Sequence, residues 1–492
     1  MPKKQIRKKK FINVFIVLSV VILFICASIV AIIITEGGKI TREGIVETGS
    51  IRISIQPNNR NTLVYLNDKQ VKPESNVINN VVPGTHTLRI ESPQFHIWER
   101  TIFIRASLVS DIDVRLFPLE SQLNQITKTN IDKLFFSQEG NYVYYTVIDP
   151  LLSPSELGLW RLRLDEQEIF FRRSFSPEKL ISSDNIAFQY LTQENITLIP
   201  DTNNTKLIII NGEFESIGII DTSQSNQSQS YTPISEKIGF KPNNVWWFNN
   251  NNSLILANDE IIIELNLVND EKTIISYTPD SKPIYSVSGS TIYVYSATEK
   301  ILYNYQNKIL RDVKTPILPD MDIQNIKLSE NGKTILFLTT ENYVQVDLDF
   351  QKIMYIPNTG QIIDYSYDGS SLIIKENDII VVINIERIVS TKELVLNRFE
   401  TEIRPDTHPH FIHNSNLIGF NDEINMQLKV SEYDGTNIIN VVEKTQVENG
   451  YYAFQRYGSS VVLLVEDANE DNVLNKNLFK MNLGSSILPF NL

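Results

Sequence analysis

The sequence predicts an all-β protein behind an N-terminal transmembrane helix: a small β-sandwich, then a seven- or eight-bladed β-propeller. Three observations lead there. An uncharged apolar run stands near the N-terminus, a cluster of short alternating strands follows, and a strand–turn–strand phrase then recurs roughly every 40–50 residues to the end of the chain. With 492 residues, 42% of them hydrophobic, the chain can bury several cores, which excludes a disordered or collagen-like polymer.

The apolar run is Phe11 to Thr35, FINVFIVLSVVILFICASIVAIIIT, without a charge. At 1.5 Å per residue it makes roughly 37 Å of helix against about 30 Å of hydrocarbon. Lys3, Lys4, Arg7, Lys8, Lys9 and Lys10 precede it, so residues 1–10 are expected in the cytoplasm and 36–492 outside, as a single-pass cell-membrane protein. A signal peptide cleaved after the Cys26–Ser28 pair and a lipid on Cys26 are the alternatives; the run is long for the first, and Ile25 is the wrong neighbour for the second. As the only cysteine, Cys26 excludes an intrachain disulfide and any cysteine-built zinc or iron–sulfur centre. Residues 36–492 carry the remaining 39 of the 45 basic residues against 58 acidic ones, a net −19 that does not attract nucleic acid.

Residues 36–48, EGGKITREGIVET, lack periodicity and read as a juxtamembrane spacer. Residues 49–118 then supply short strands. Ile51, Ile53 and Ile55 alternate along the first; Thr62–Leu66, Thr85–Ile90, Trp98–Ile104 and Ser110–Leu116 follow, and the expected product is a small antiparallel sandwich. The order GSIRISIQP, VYLNDKQV and NVVPGTHTLRIESPQFHIWERTIFI resembles the PEGA domain, a β-sandwich of prokaryotic envelope and surface proteins. The resemblance covers 49–116. It departs at Gln94-Phe95, where that family often has Gly-Tyr, and it implies neither catalytic residues nor a ligand.

From about 120 onward the repeated phrase is clearest at Lys133–Tyr145, Ile326–Phe337 and Ile363–Ile374. Weaker copies start near Leu180, Val245, Ile284, Phe411 and Tyr451. Such a period, built of strands, signals propeller blades over 119–492. The phrase Phe136-Ser137-Gln138-Glu139-Gly140 resembles the core of the TolB-like propeller repeat, its glycine taking the positive-φ place of a hairpin. Residues 221–236, DTSQSNQSQSYTPISE, read as an inserted flexible loop that explains the longest interval between copies.

Candidate ligands are few. His408 and His410, with Asp406 and His413 nearby in RPDTHPHFIHN, have the H-x-H spacing that turns two imidazoles to one side of a strand, as a metal requires. Pro405 and Pro409 argue instead for a loop of solvated histidines. His86 and His96 read as sandwich residues. Asp467, Asn469 and Asp471 place oxygen donors as in the first half of a calcium loop, but Asn472 and Leu478 stand where the glycine and the bidentate glutamate belong; calcium and a solvated hairpin tip both fit. Trp246-Trp247 beside Asn249–Asn252 suit either a sugar platform or a strand and its turn. Gly332-Lys333-Thr334 is a hairpin turn and no phosphate loop, since Lys327 occupies the first glycine's place. There is no nucleophile elbow, no HExxH and no pair of carboxylates that spacing brings together. The expected function is a membrane-anchored binding or scaffolding protein of the prokaryotic envelope whose propeller holds a protein or cell-wall polymer. The alternative is a propeller hydrolase or lyase acting on polysaccharide or peptide at its central channel.

Overall fold

The computed structural model describes residues 18–25, 27–28, 38–41, 44–119, 123–137, 140–164, 177–185, 187–193, 195–212, 214–222, 231–277, 283–289, 291–313, 315, 322–388, 392–413, 415–422, 424–425, 427–443, 452–454, 460–468 and 474–483. They fall into two units, Met1–Glu120 with Gly484–Leu492, and Ser121–Leu483.

The first unit corrects the expected membrane span. Among the described residues no helix is long and apolar enough to cross a membrane. Of the run 11–35, helix is described at 18–25 and 27–28. The rest of the run, 11–17, 26 and 29–35, lies outside the described residues. The single-pass membrane location expected from residues 11–35 therefore lacks support. The expected spacer is also corrected: Gly38–Thr41 and Gly44–Glu47 pair as an antiparallel hairpin.

Two sheets follow. Val77–Val81, Gly49–Gln56 and Val109–Arg115 form one, and Lys69–Val71, Leu63–Leu66, Gly84–Glu91 and Trp98–Ile104 form the other. Alternation does the sorting: Ile51 and Ile53 are buried while Arg52 and Ser54 are exposed. Leu88, Ile90, Trp98, Ile102 and Ile104 meet them from the second sheet in one core. The expected all-antiparallel pairing fails at one place, where Gly49–Gln56 and Val109–Arg115 run parallel with Ile53 opposite Ile112. The chain crosses to the second sheet between these strands and returns in its original direction, the long connection that parallel pairing demands.

Among the described residues the second unit forms eight four-stranded antiparallel sheets. Seven are simple meanders whose first strands begin at Lys133, Ile196, Asn244, Ile284, Ile323, Gln361 and His410; these are blades 1 to 7. The eighth takes Tyr452–Phe454, Ser460–Ala468 and Leu474–Asn482 from the C-terminal end and Leu123–Gln125 from the other. Apolar clusters join neighbours in a cycle. Tyr144 and Leu207 link blades 1 and 2, Ile208 and Leu256 link 2 and 3, Ile255 and Ile292 link 3 and 4. Tyr295 and Phe337 link 4 and 5, Leu336 and Leu372 link 5 and 6, Ile373 and Ile418 link 6 and 7. His410 packs on Tyr452 and Phe454 between blades 7 and 8, and Val143 meets Val462 between 1 and 8. A closed cycle of twisted four-stranded sheets is a β-propeller.

Two repeat readings are corrected. The copy placed near Leu180 is the outer strand of blade 1, Glu178–Ser182, and blade 2 begins at Ile196. The segment 221–236 is not all loop: Tyr231–Pro233 is the outer strand of blade 2, Ser235–Ile238 is a helical turn, and 223–230 lie outside the described residues.

Blade contacts are close enough to exclude a methyl group. A Cβ on Gly419, in the second strand of blade 7, would lie 2.4 Å from Cε2 of Phe454 in blade 8. Gly419→Ala is therefore expected to destabilise the full-length protein by about 1–3 kcal/mol, read as a lower denaturant midpoint. An unchanged midpoint would mean that blades 7 and 8 do not touch there.

Candidate functional site

The first strands of successive blades are the innermost. They lock to one another by side chain: Leu328 N–H donates to Ser286 Oγ at 2.8 Å between blades 5 and 4, and Phe411 N–H to Asp364 Oδ2 at 2.7 Å between 7 and 6. These bonds satisfy edge N–H groups that a sheet otherwise leaves open.

The inner strands of blades 2 to 5 wall a channel cavity of about 690 Å³. Strand alternation sets its lining. In Asn244–Phe248, Val245 and Trp247 turn into the interface with blade 2, where Trp247 Nε1 donates to the Ile199 carbonyl at 2.9 Å. Trp246 points the other way and stays half-buried on the channel wall. Its indole meets Tyr285 edge-to-face, with centroids 5.7 Å apart and planes at 88°. Burial pushes the Tyr285 hydroxyl up to about 12, against a donated hydrogen bond from Asn244, so it stays a neutral phenol. Exposed amides complete this wall at Asn244, Gln324 and Asn325. Asn325 Oδ1 accepts the Ile326 N–H at 2.8 Å, which leaves the donor end of its amide for a ligand. Lys327 is the cation on this wall, its Nζ 5.7 Å from the Tyr365 ring centroid.

Above the cavity, the first hairpins of blades 1, 2, 4, 5, 6 and 7 converge on a narrower space of about 150 Å³. Shared turn chemistry aims them. In Ser329–Thr334, Gly332 sits at φ 71°, Thr334 N–H donates to Ser329 Oγ at 3.0 Å, and Lys333 N–H donates to Asn331 Oδ1 at 3.0 Å. Ser366–Ser371 repeats this with Gly369 at φ 73° and Asp368 as the acceptor. In blade 1 Ser137 and Gly140 do the same. In blade 2 Asp201 replaces the serine and Asn204, at φ 57°, the glycine. The residue after each such serine, Glu330 or Tyr367, then faces the axis. His413 joins them, its Nδ1 3.5 Å from Glu330 Oε2 and its ring edge-on to Tyr367 at 4.6 Å.

The sequence-predicted ligands do not gather here. His408 is exposed, in a left-handed conformation after the short helix Pro405–Thr407, while His410 lies among Tyr452 and Phe454. Burial lowers the His410 imidazole below its usual value despite the Asp364 carboxylate, so it is neutral at pH 7. Asp406 is held by Arg404, with 2.7 Å from Oδ2 to the guanidinium. Asp467 pairs with Asn475 at the end of a long hairpin, and Asn469 and Asp471 lie outside the described residues. Among the described residues no group of three or more His, Cys, Asp or Glu is placed to hold a metal. His86 is a strand residue joined to Asn67 and the Val82 carbonyl. Asn249, Asn250 and Asn251 form a left-handed turn, as their run suggested.

No family model matches the chain, and no curated protein matches it. Solved structures do. The WD40 domain of SCAP from fission yeast matches 75% of this chain over 99% of its own length, at 10% identity and TM-score 0.45. AztD from Citrobacter koseri matches 73% over 91% of its own, at 10% identity and TM-score 0.40. An oligogalacturonate lyase in complex with manganese matches 75% over 99%, at 10% identity and TM-score 0.37. At that distance the likenesses carry no function, and the propeller assignment rests on the cycle of blades itself.

The segment that holds the histidines is pinned from below. Asp422 Oδ2 accepts from Lys429 Nζ at 2.7 Å and from Asn425 Nδ2 at 2.8 Å, and the Arg404 guanidinium lies 3.8 Å from Oδ1. Burial alone would raise this carboxyl, but the Lys429 ammonium and the Asn425 donors outweigh it and hold it at about 2. A depressed value in the folded state stabilises the fold above the ordinary carboxylate range and loses that contribution as pH falls toward 2. Asp422→Asn is expected to cost about 2 kcal/mol at pH 7, with the gap from wild type closing between about pH 4 and pH 2 in a series of melts. A gap independent of pH would show that the carboxylate's charge is not what matters.

Proposed function

We propose that this chain is a binding protein whose propeller channel seats a segment of a hydroxyl-rich polymer, a glycan. One observation carries the reading: Trp246 lies half-buried on the channel wall against Tyr285, with Asn244, Gln324 and Asn325 beside it. An apolar aromatic face among neutral amides suits a sugar ring, whose faces are apolar and whose rim is hydroxyl. The cavity's 690 Å³ falls within the range of small-molecule sites and accommodates a few sugar units. The first unit, read as a PEGA-like sandwich from its VVPGTHTLRIE run, serves as a separate spacer or docking module.

The full-length protein titrated with neutral oligosaccharides of varied linkage should show a change in tryptophan fluorescence. Trp246→Ala should weaken the best binder at least about tenfold while leaving the melting temperature near wild type. Equal binding by the variant, or no binding by any oligosaccharide, would sink the reading.

A second reading, a polysaccharide or peptide hydrolase or lyase, is favoured by the meeting of Glu330, Tyr367 and His413 at the channel mouth. A carboxylate beside an imidazole is the minimum for general acid–base work. It requires turnover of a bound oligosaccharide or peptide that Glu330→Gln and His413→Asn each abolish. Wild-type protein that binds and never cleaves excludes it.

A further inference from the structure

One position recurs around the ring. In blades 1, 3, 4, 5 and 8 a polar residue stands opposite the third residue of the second strand: Arg161 opposite Tyr144, Glu264 opposite Ile255, Asn304 opposite Tyr293, Gln345 opposite Leu336 and Lys480 opposite Val462. Two of these, Arg161 and Gln345, reach the next blade's first hairpin. The Arg161 guanidinium donates to the Asn204 carbonyl in blade 2, and Gln345 Nε2 donates to the Gly369 carbonyl in blade 6 at 2.9 Å. Glu264 cannot do this, because a carboxylate has no proton to give a carbonyl.

The next blade differs to match. The first hairpin of blade 4 closes at Ser288 opposite Thr291, with two residues between them. In blades 2 and 6 the closing pairs are Asp201 with Lys206 and Ser366 with Ser371, each with four residues between them. Between blades 3 and 4 a cavity of about 550 Å³ opens, lined from the Asn249–Asn250 turn of blade 3 and the Gln306–Lys308 hairpin of blade 4. Glu264 lies at its base, only 4% exposed. The Tyr305 hydroxyl donates to its Oε2 at 2.7 Å. Asn249 and Asn250 line the blade 3 side, and Gln306 and Asn307 the blade 4 side. Lys308 at the rim does not neutralise the carboxylate, since its Nζ sits 2.6 Å from Glu271 Oε2.

A carboxylate this buried, met by a neutral hydroxyl, calls for a charged donor. We infer that the cleft between blades 3 and 4 is a docking site for a basic side chain of a protein partner, an arginine above all, whose guanidinium pairs with Glu264 between the amide walls. The planar fork of a guanidinium donates in two directions at once, to the carboxylate and to the amide oxygens that flank it. The acidic surface of the chain, net −13, draws such a partner in. The two cavities share Phe248, Asn249 and Asn250, but Trp246 and Tyr285 do not line the cleft and Glu264 does not line the channel, so the inference and the channel reading fail separately.

The test is calorimetric titration of the full-length protein with the capped peptide Gly-Gly-Arg-Gly-Gly and with the same peptide carrying citrulline, which keeps the shape without the charge. Binding of the arginine peptide, at least about tenfold tighter than the citrulline one, is expected. Glu264→Gln should abolish the preference; glutamine already stands at the matching position in blade 5, so the variant should fold, and a melt checks it. Absence of binding to the wild-type protein, equal binding of the citrulline peptide, or full binding by the folded variant overturns the inference.

Discussion

The propeller depends on one pairing between distant parts of the chain. Leu123–Gln125 lies against Leu474–Asn482 as the outer strand of blade 8, with Asn124 opposite Lys480. Just beyond it, Ile126 N–H donates to the Leu478 carbonyl at 2.8 Å and Leu478 N–H to Thr127 Oγ1 at 2.9 Å. Every other blade is a local meander that leaves two apolar faces, and each face needs a neighbour. Only closure gives the first and last blades theirs, which places Val143 of blade 1 against Val462 and Leu478 of blade 8. The channel and the convergence of six hairpins at its mouth exist because the ring is shut.

Within that ring, function is written as local departures from a repeated pattern. The serine–acid–glycine turn fixes the height and direction of each first hairpin, so residues that differ between copies change what faces the axis without disturbing the blade. Glu330 and Tyr367 are the same turn position filled differently. The short turn of blade 4 is a larger departure, and the blade before it carries Glu264 where blades 1 and 5 have a donor reaching a carbonyl. Trp246 and Trp247 show the same economy in one strand, one indole closing a blade interface and the next lining the channel.

Much of this was legible in the sequence, for a physical reason. Blade strands pair with sequence neighbours, so period and turn glycines reveal them: the copies found at Lys133, Val245, Ile284, Ile326, Ile363 and Phe411 fall on first strands, and the one begun at Tyr451, itself outside the described residues, is followed by the first strand of blade 8, Tyr452–Phe454. Leu180 misled because an outer strand carries the same apolar alternation as an inner one. Leu123–Gln125 was invisible because its partner lies some 350 residues away and three residues show no period. The H-x-H spacing of His408 and His410 suggested a shared side, but a left-handed residue at His408 breaks the strand that would have aligned them. Glu264 sits in IIIELN with nothing local to mark it; aligning the repeats by register would have set it beside Arg161, Asn304, Gln345 and Lys480 as the acid of the set.

The most direct test of the account is hydrogen exchange of the full-length protein, following peptides that cover 123–127 and 474–483 beside those of the inner strands. If the ring is closed by this pairing, both segments exchange slowly and together with the blade cores, since opening them opens the propeller. Rapid exchange of 123–127 while the other blades stay protected would contradict closure, and with it the channel on which the functional reading stands.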